Sequence, residues 1–234
     1  MSALDGDGNK SYKFSVTPDY FRTAAQPGGS GMHFSKTEVI HILISVAVLT
    51  VAFAIMIIGV GNLSSLTLLG LIYVFGASFL AVASGFLLHE LMHKRVAQGY
   101  GCQAEFRMNP MGLLIGLFTA VFGFLIVLPG AVMIAGRITK RENGVISAAG
   151  PMMNMLIGGS LLALTLSLEV DTDLWFVVGI VAFINLWLAF FNLLPVPPLD
   201  GSKVFFWNFA IYIGLMAVAV AMLVVFHLNV WHVI

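Results

Sequence analysis

The chain has 234 residues, eleven basic and eleven acidic side chains, no net formal charge and a mean hydropathy of +0.99. It is 59% hydrophobic and 9% charged, where soluble domains run at about a quarter charged, which excludes a water-soluble globule and predicts an all-α polytopic protein of the lipid bilayer. The charge balance gives no footprint for nucleic acid, and the single cysteine, Cys102, excludes an intrachain disulfide and a cysteine-rich zinc site, so any metal must be held by His, Asp or Glu.

Residues 1–36 are polar and carry a Pro27-Gly28-Gly29-Ser30-Gly31 run that reads as a flexible linker ahead of Met32. Two readings stand for residues 1–31: a fused peptide before a natural start at Met32, or a native mobile tail. Ser11 to Thr17 alternates like a strand and is expected either to pair with an edge near the site, as a tethered plug, or to stay disordered. Residues 37–234 are expected to form the membrane-embedded domain. No secretory signal is expected, since the first apolar run starts only near Val39.

The first span is expected from Val39 to Gly59, 21 residues or about 31 Å of helix, which matches the hydrocarbon core. Gly61 to Ser65 reads as a turn. The second span starts near Leu66, stays uncharged to Leu88, and runs through His89-Glu90-Leu91-Met92-His93 to about Gln98. H-E-x-x-H on a helix puts two imidazoles one turn apart on one face, able to hold one metal ion, with a carboxylate beside them to take a proton from water. The plainer reading is a polar helix end at the headgroups. Ionisable groups at a span are costly, which favours the functional reading.

Met111 to Ala135 is apolar but interrupted by Gly112, Gly116, Gly123, Pro129 and Gly130. It reads as a strand-like re-entrant segment, with a hairpin in Val127 to Ile134 around Pro129-Gly130. Three further spans are expected, at about 144–168, 174–194 and 204–226, the middle one stopped by Pro195, Pro197 and Pro198. The count is thus about five spans. If residues 111–135 turn back rather than cross, all eleven Lys and Arg fall on one side, opposite Glu169, Asp171 and Asp173. The positive-inside rule then places the N-terminus and the His89/His93 end in the cytoplasm and the C-terminus outside.

A catalytic zinc takes three protein ligands. His33 and His41 flank the first span, while His227 and His232 sit at the opposite face. Asp200 lies among prolines and leucines on the same side as His89; it reads as a metal ligand or as the N-cap of a helix starting near Ser202. Asn154 reads as an oxyanion donor or as a helix–helix hydrogen bond beside Gly158 and Gly159.

HExxH, then Gly150-Pro151-Met152-Met153-Asn154, then Asn192-x-x-Pro195-x-x-Pro198-x-Asp200-Gly201 resembles, in order and spacing over about residues 39–230, the site-2 protease family of intramembrane zinc metalloproteases. The resemblance implies His89, His93 and Asp200 as ligands of one zinc ion per chain, Glu90 as general base, and Asn192 as a residue steadying substrate or oxyanion. It also implies single-pass transmembrane proteins or membrane peptides as substrates, and a strand-like segment between the second and third spans. The chain leaves no room for the PDZ and C-terminal regulatory domains of larger members, so a small archaeal or bacterial type is expected. The competing class is a non-catalytic membrane metal-binding or scaffold protein using the same residues; the intact Glu90 argues against it, since a pure binder needs no base.

Overall fold

The computed structural model describes residues 12–13, 32–59, 67–170 and 172–231. The expected turn at Gly61 to Ser65, His232, Asp171 and most of the N-terminal tail lie outside the described residues. Five helices are long and apolar enough to cross a membrane.

Helix α1, Lys36–Ile58, starts where the Ser35 side chain accepts from the Glu38 amide and stops at Gly59, whose φ of 69° suits glycine. Helix α2, Leu68–Val82, is capped by Thr67 in the same way. It runs through a π-helical turn at Ala83–Leu87 into α3, Leu88–Gly99, which carries the HExxH residues. The whole unit, Leu68–Gly99, has 32 residues, or about 48 Å, so it outlasts the hydrocarbon core and carries α3 to its edge.

Strand β2, Gln103–Met108, pairs antiparallel with β3, Gly130–Ala135, Met108 lying opposite Gly130. The intervening residues therefore leave and return at one point, where the Asn109 amide donates to the Pro129 carbonyl at 2.8 Å. The outward arm is helix α4, Pro110–Ala120, begun by an Asn109 cap with proline at the first turn. The expected hairpin within Val127 to Ile134 is corrected: the reversal lies at residues 121–123, and β3 pairs with β2, a strand the sequence reading missed. The glycines read as helix breakers form a seam instead. A Cβ at Gly112 would lie 2.0 Å from the Leu128 carbonyl oxygen, and one at Gly116 would lie 2.7 Å from the Val127 side chain. Bare backbone on one face of α4 thus lets the returning arm pack against it.

A two-residue strand β4, Arg137–Ile138, follows and pairs antiparallel with β1, Tyr12–Lys13. The tail meets β4 rather than the edge formed by residues 112–134. Helix α5, Lys140–Thr165, begins with a full capping box between Thr139 and Glu142. Helix α6, Asp173–Asn192, packs along it, with Gly158 against Leu186. The last expected span is corrected at its start. Asp200–Trp207 is a separate short helix, α7, and Asn208 both ends it and caps α8, Phe209–Phe226, which continues into a π-helical turn at His227–Trp231.

The apolar interior joins Leu49 and Phe53 of α1, Val82 of α2, Leu113 of α4 and Val181 and Ile184 of α6. A second layer sets Leu162 of α5 and Leu186 of α6 against Phe226. Large side chains also face outward, among them Leu43, Leu68, Ile72, Phe118, Leu156 and Val224. A chain whose outer surface is as apolar as its core is built for lipid.

Candidate metal centre

His89 and His93 are four apart on α3, both buried, with their rings edge to face. Their Nε2 atoms are 3.0 Å apart, and Asp200 Oδ2 lies 3.3 Å from the first and 3.0 Å from the second. One donor atom from each of the three falls within 4.8 Å of the others. Asp200 is not the N-cap: it is the first residue of α7, the cap position is Leu199, and that end makes no side-chain capping bond. Its carboxylate is turned to the histidines instead, and Oδ1 accepts from Lys203 Nζ at 3.2 Å. Burial would push the Asp200 carboxyl up, but the charge on His93, the hydrogen bonds from His89 and His93, and the Lys203 ammonium outweigh it and hold the group well below the usual carboxylate range.

The local fold prepares these donors for a cation. His93 Nδ1 donates to the Ile146 carbonyl at 2.7 Å, which leaves the lone pair on Nε2 facing His89 and Asp200. Two imidazole nitrogens and a carboxylate oxygen converging on one buried point repel unless a proton or cation sits among them. Helix α5 makes the room. A Cβ at Gly150 would lie 2.5 Å from both Nε2 atoms, so only glycine keeps this space open. His, His and Asp are donors suited to zinc. His89 Nδ1 is buried with no hydrogen-bond partner among the described residues.

Glu90, between the two histidines, accepts from the Val132 amide of β3 at 3.2 Å through Oε2. The ribbon therefore borders the cluster, as a re-entrant segment beside an active site would. Asn154 is fully buried on α5, and its amide donates at 3.1 Å to the Gly85 carbonyl inside the π-helical turn. That is an interhelical bond; Asn185 of α6 reaches the same turn through Ser84 Oγ at 2.8 Å. Asn192 is half-buried at the end of α6 and donates to the Leu188 carbonyl at 3.0 Å. The structure thus brings His89, Glu90, His93 and Asp200 together, and Asn154 and Asn192 are each occupied with backbone carbonyls. Two other described histidines are engaged elsewhere: the Met108 amide donates to His41 Nδ1, and His227 lines an apolar groove with Trp187 and Phe190. Sequence reasoning missed Ile146, Val132 and Asn185. The first two act through backbone atoms and leave no mark in side-chain chemistry.

The chain is 43% identical over 178 residues to "Putative zinc metalloprotease MJ0611" of Methanocaldococcus jannaschii, covering 75% of this chain and 86% of that one. It is 25% identical over 168 residues to "Zinc metalloprotease MJ0392" of the same organism, covering 71% of this chain and 42% of that one. It is 33% identical over 141 residues to the similarly named YwhC of Bacillus subtilis, covering 51% and 63%. The chain thus spans most of the first relative and under two thirds of the other two. Residues 167–226, which include Asp200, match the model of peptidase family M50. No solved structure matches the chain significantly. The likeness to the first relative runs along nearly all of that protein, so the His89, His93 and Asp200 cluster lies in a chain that belongs to peptidase family M50, the site-2 protease family of metalloproteases.

Proposed function

We propose that this protein is an intramembrane zinc endopeptidase that cuts single-pass transmembrane proteins or membrane peptides near the cytoplasmic face. The observation that carries the reading is a buried His89, His93 and Asp200 cluster with Glu90 beside it, set at the end of a 32-residue apolar helix. The names of the relatives support zinc as the metal. Held by the three ligands, zinc supplies Lewis acidity, which acidifies water and polarises the scissile carbonyl. Glu90 takes the proton of the attacking water and passes it to the leaving amine, while the Val132 amide steadies its Oε2. Asn192 is assigned to steady substrate or oxyanion, exchanging its bond to the Leu188 carbonyl for one to the substrate.

A helical substrate has its carbonyls bonded internally and must unwind before it can be cut. The outer edge of β3 borders Glu90 and is suited to receive the unwound stretch by backbone pairing. The cytoplasmic assignment rests on charge: the pairing of Met108 with Gly130 supports a segment that turns back, and for such a segment the sequence order puts all eleven basic residues on the side of the metal cluster, which the positive-inside rule makes cytoplasmic.

The test is cleavage in reconstituted vesicles. A single-pass substrate should be cut near its cytoplasmic end, with the site mapped by product mass, and the same sequence as a soluble peptide should be cut poorly. Equal or better cleavage of the soluble peptide would overturn the intramembrane reading.

A further inference from the structure

Glu38 and Lys94 belong to no part of the metal cluster, yet both are fully buried. Lys94 Nζ lies 2.5 Å from Glu38 Oε2, and 4.2 Å from the centre of the Phe34 ring. A buried ion pair is seldom more stable than apolar residues of the same volume, so stability alone is a poor reason for one here. Its connections give a better one. Glu38 Oε1 accepts from the Phe106 amide of β2 at 2.9 Å. Phe106 stands opposite Val132 in the ribbon, and the Val132 amide donates to Glu90. This is a pair whose amides both point out of the ribbon, one from each edge, and each finds a carboxylate. Lys94 is four residues after Glu90, one turn along the same face of α3. The contacts therefore close a ring: Glu90, Val132, Phe106, Glu38, Lys94 and back along α3 to Glu90.

We propose that Glu38 and Lys94 are positioning residues for Glu90, fixing the ribbon against α3 so that the Val132 amide holds the Glu90 carboxylate ready for proton transfer. This rests on the reading of Glu90 as the base. Lys94 ties α3 to α1 through Glu38, and Glu38 ties both to β2. Strand β3 is then set in depth and register beside Glu90. Without the tie the ribbon would keep its own pairing, its apolar contacts and two longer bonds, Met108 amide to His41 Nδ1 and Gln98 Nε2 to the Ala104 carbonyl, each at 3.4 Å.

The test uses full-length, zinc-loaded protein in vesicles with a membrane-anchored substrate. Glu38→Leu/Lys94→Met removes both charges together, leaving neither buried and unpaired. It should keep one zinc per chain and an unchanged KM while lowering kcat about 10- to 100-fold, as loss of supporting contacts around a metal site does. Amide exchange over residues 130–135 should quicken, with α5 and α6 unchanged. Glu38→Gln/Lys94→Met, which returns an acceptor to the Phe106 amide but not the tie to α3, should recover only part of kcat. If the first variant does not fold, Glu38→Gln/Lys94→Met decides, since it severs the tie to α3, keeps the Phe106 acceptor and buries no unpaired charge; it too should lower kcat at constant KM. A wild-type kcat in the folded variant, a loss confined to KM, or unchanged exchange in the ribbon would overturn the proposal. An active Glu90→Gln would instead remove the reading of Glu90 on which it rests.

Discussion

Gly150 sets how closely α5 can approach the two histidines. Alanine there would put a methyl group 2.5 Å from both Nε2 atoms, and misplaced methyl groups in tight interiors cost about 1–3 kcal/mol. Gly150→Ala is therefore expected to lose zinc, or to bind it much more weakly, while the helices stay assembled; metal analysis after gel filtration checks this, and full zinc occupancy would refute it. Asp200→Ala removes one of three ligands and should likewise lose tight zinc, with Lys203 left without its carboxylate partner. Retention of zinc at wild-type affinity would remove Asp200 from the site. His89 and His93 were legible as candidate ligands because HExxH spacing on a helix has one geometry; the local sequence left Asp200 open between ligand and N-cap, and the family resemblance is what pointed to a ligand. Gly150, Ile146 and Val132 were not legible as site residues. Gly150 contributes space and the other two contribute a carbonyl and an amide, which every residue has.

At the scale of elements, the decisive unit is the ribbon with α4 and its returning arm. The apolar, glycine-broken composition of residues 111–135 pointed to a segment that turns back, and the pairing of Met108 with Gly130 closes it. Its internal form was not legible. Whether glycine breaks a helix or opens its face depends on what lies opposite, and here the opposite surface is the 126–128 stretch some ten residues later in the chain. Strand β2 alternates polar Gln103, Glu105 and Arg107 with apolar Ala104, Phe106 and Met108, so its pattern was present in the sequence though the strand was not read from it; Glu105 and Arg107 bond each other along the strand. If the segment turns back, Tyr100 and Arg137, both exposed, lie on one face of the membrane. Single cysteines at Tyr100→Cys and Arg137→Cys should both label from the cytoplasmic side with an impermeant thiol reagent. Cys102 should stay silent in that assay, because burial, and then the Glu142 charge, push its thiol up. Labelling from opposite sides would overturn the topology.

Across the whole molecule, composition alone required a lipid environment, and five spanning helices follow from it. What composition could not give is the tail's position. The only described part of residues 1–31 pairs with β4, which directly follows β3 and leads into the metal-bordering helix α5. If the tail is a tethered plug, it would compete with incoming substrate there. Deleting residues 2–31 is expected to raise the cleavage rate of an added substrate, and an unchanged rate would show that the tail is no plug.

The central claim is that Glu90 performs proton transfer at a zinc site formed by His89, His93 and Asp200. It is tested most directly by comparing wild type with Glu90→Gln on a membrane-anchored substrate, with zinc content measured on the same samples. Amide and carboxylate share a shape, and only the carboxylate can act as base. The account predicts that Glu90→Gln keeps its zinc and its fold and cleaves about 10²- to 10⁴-fold more slowly. Cleavage by the zinc-loaded variant within a few-fold of wild type, or wild-type cleavage that survives complete removal of the metal, would contradict it.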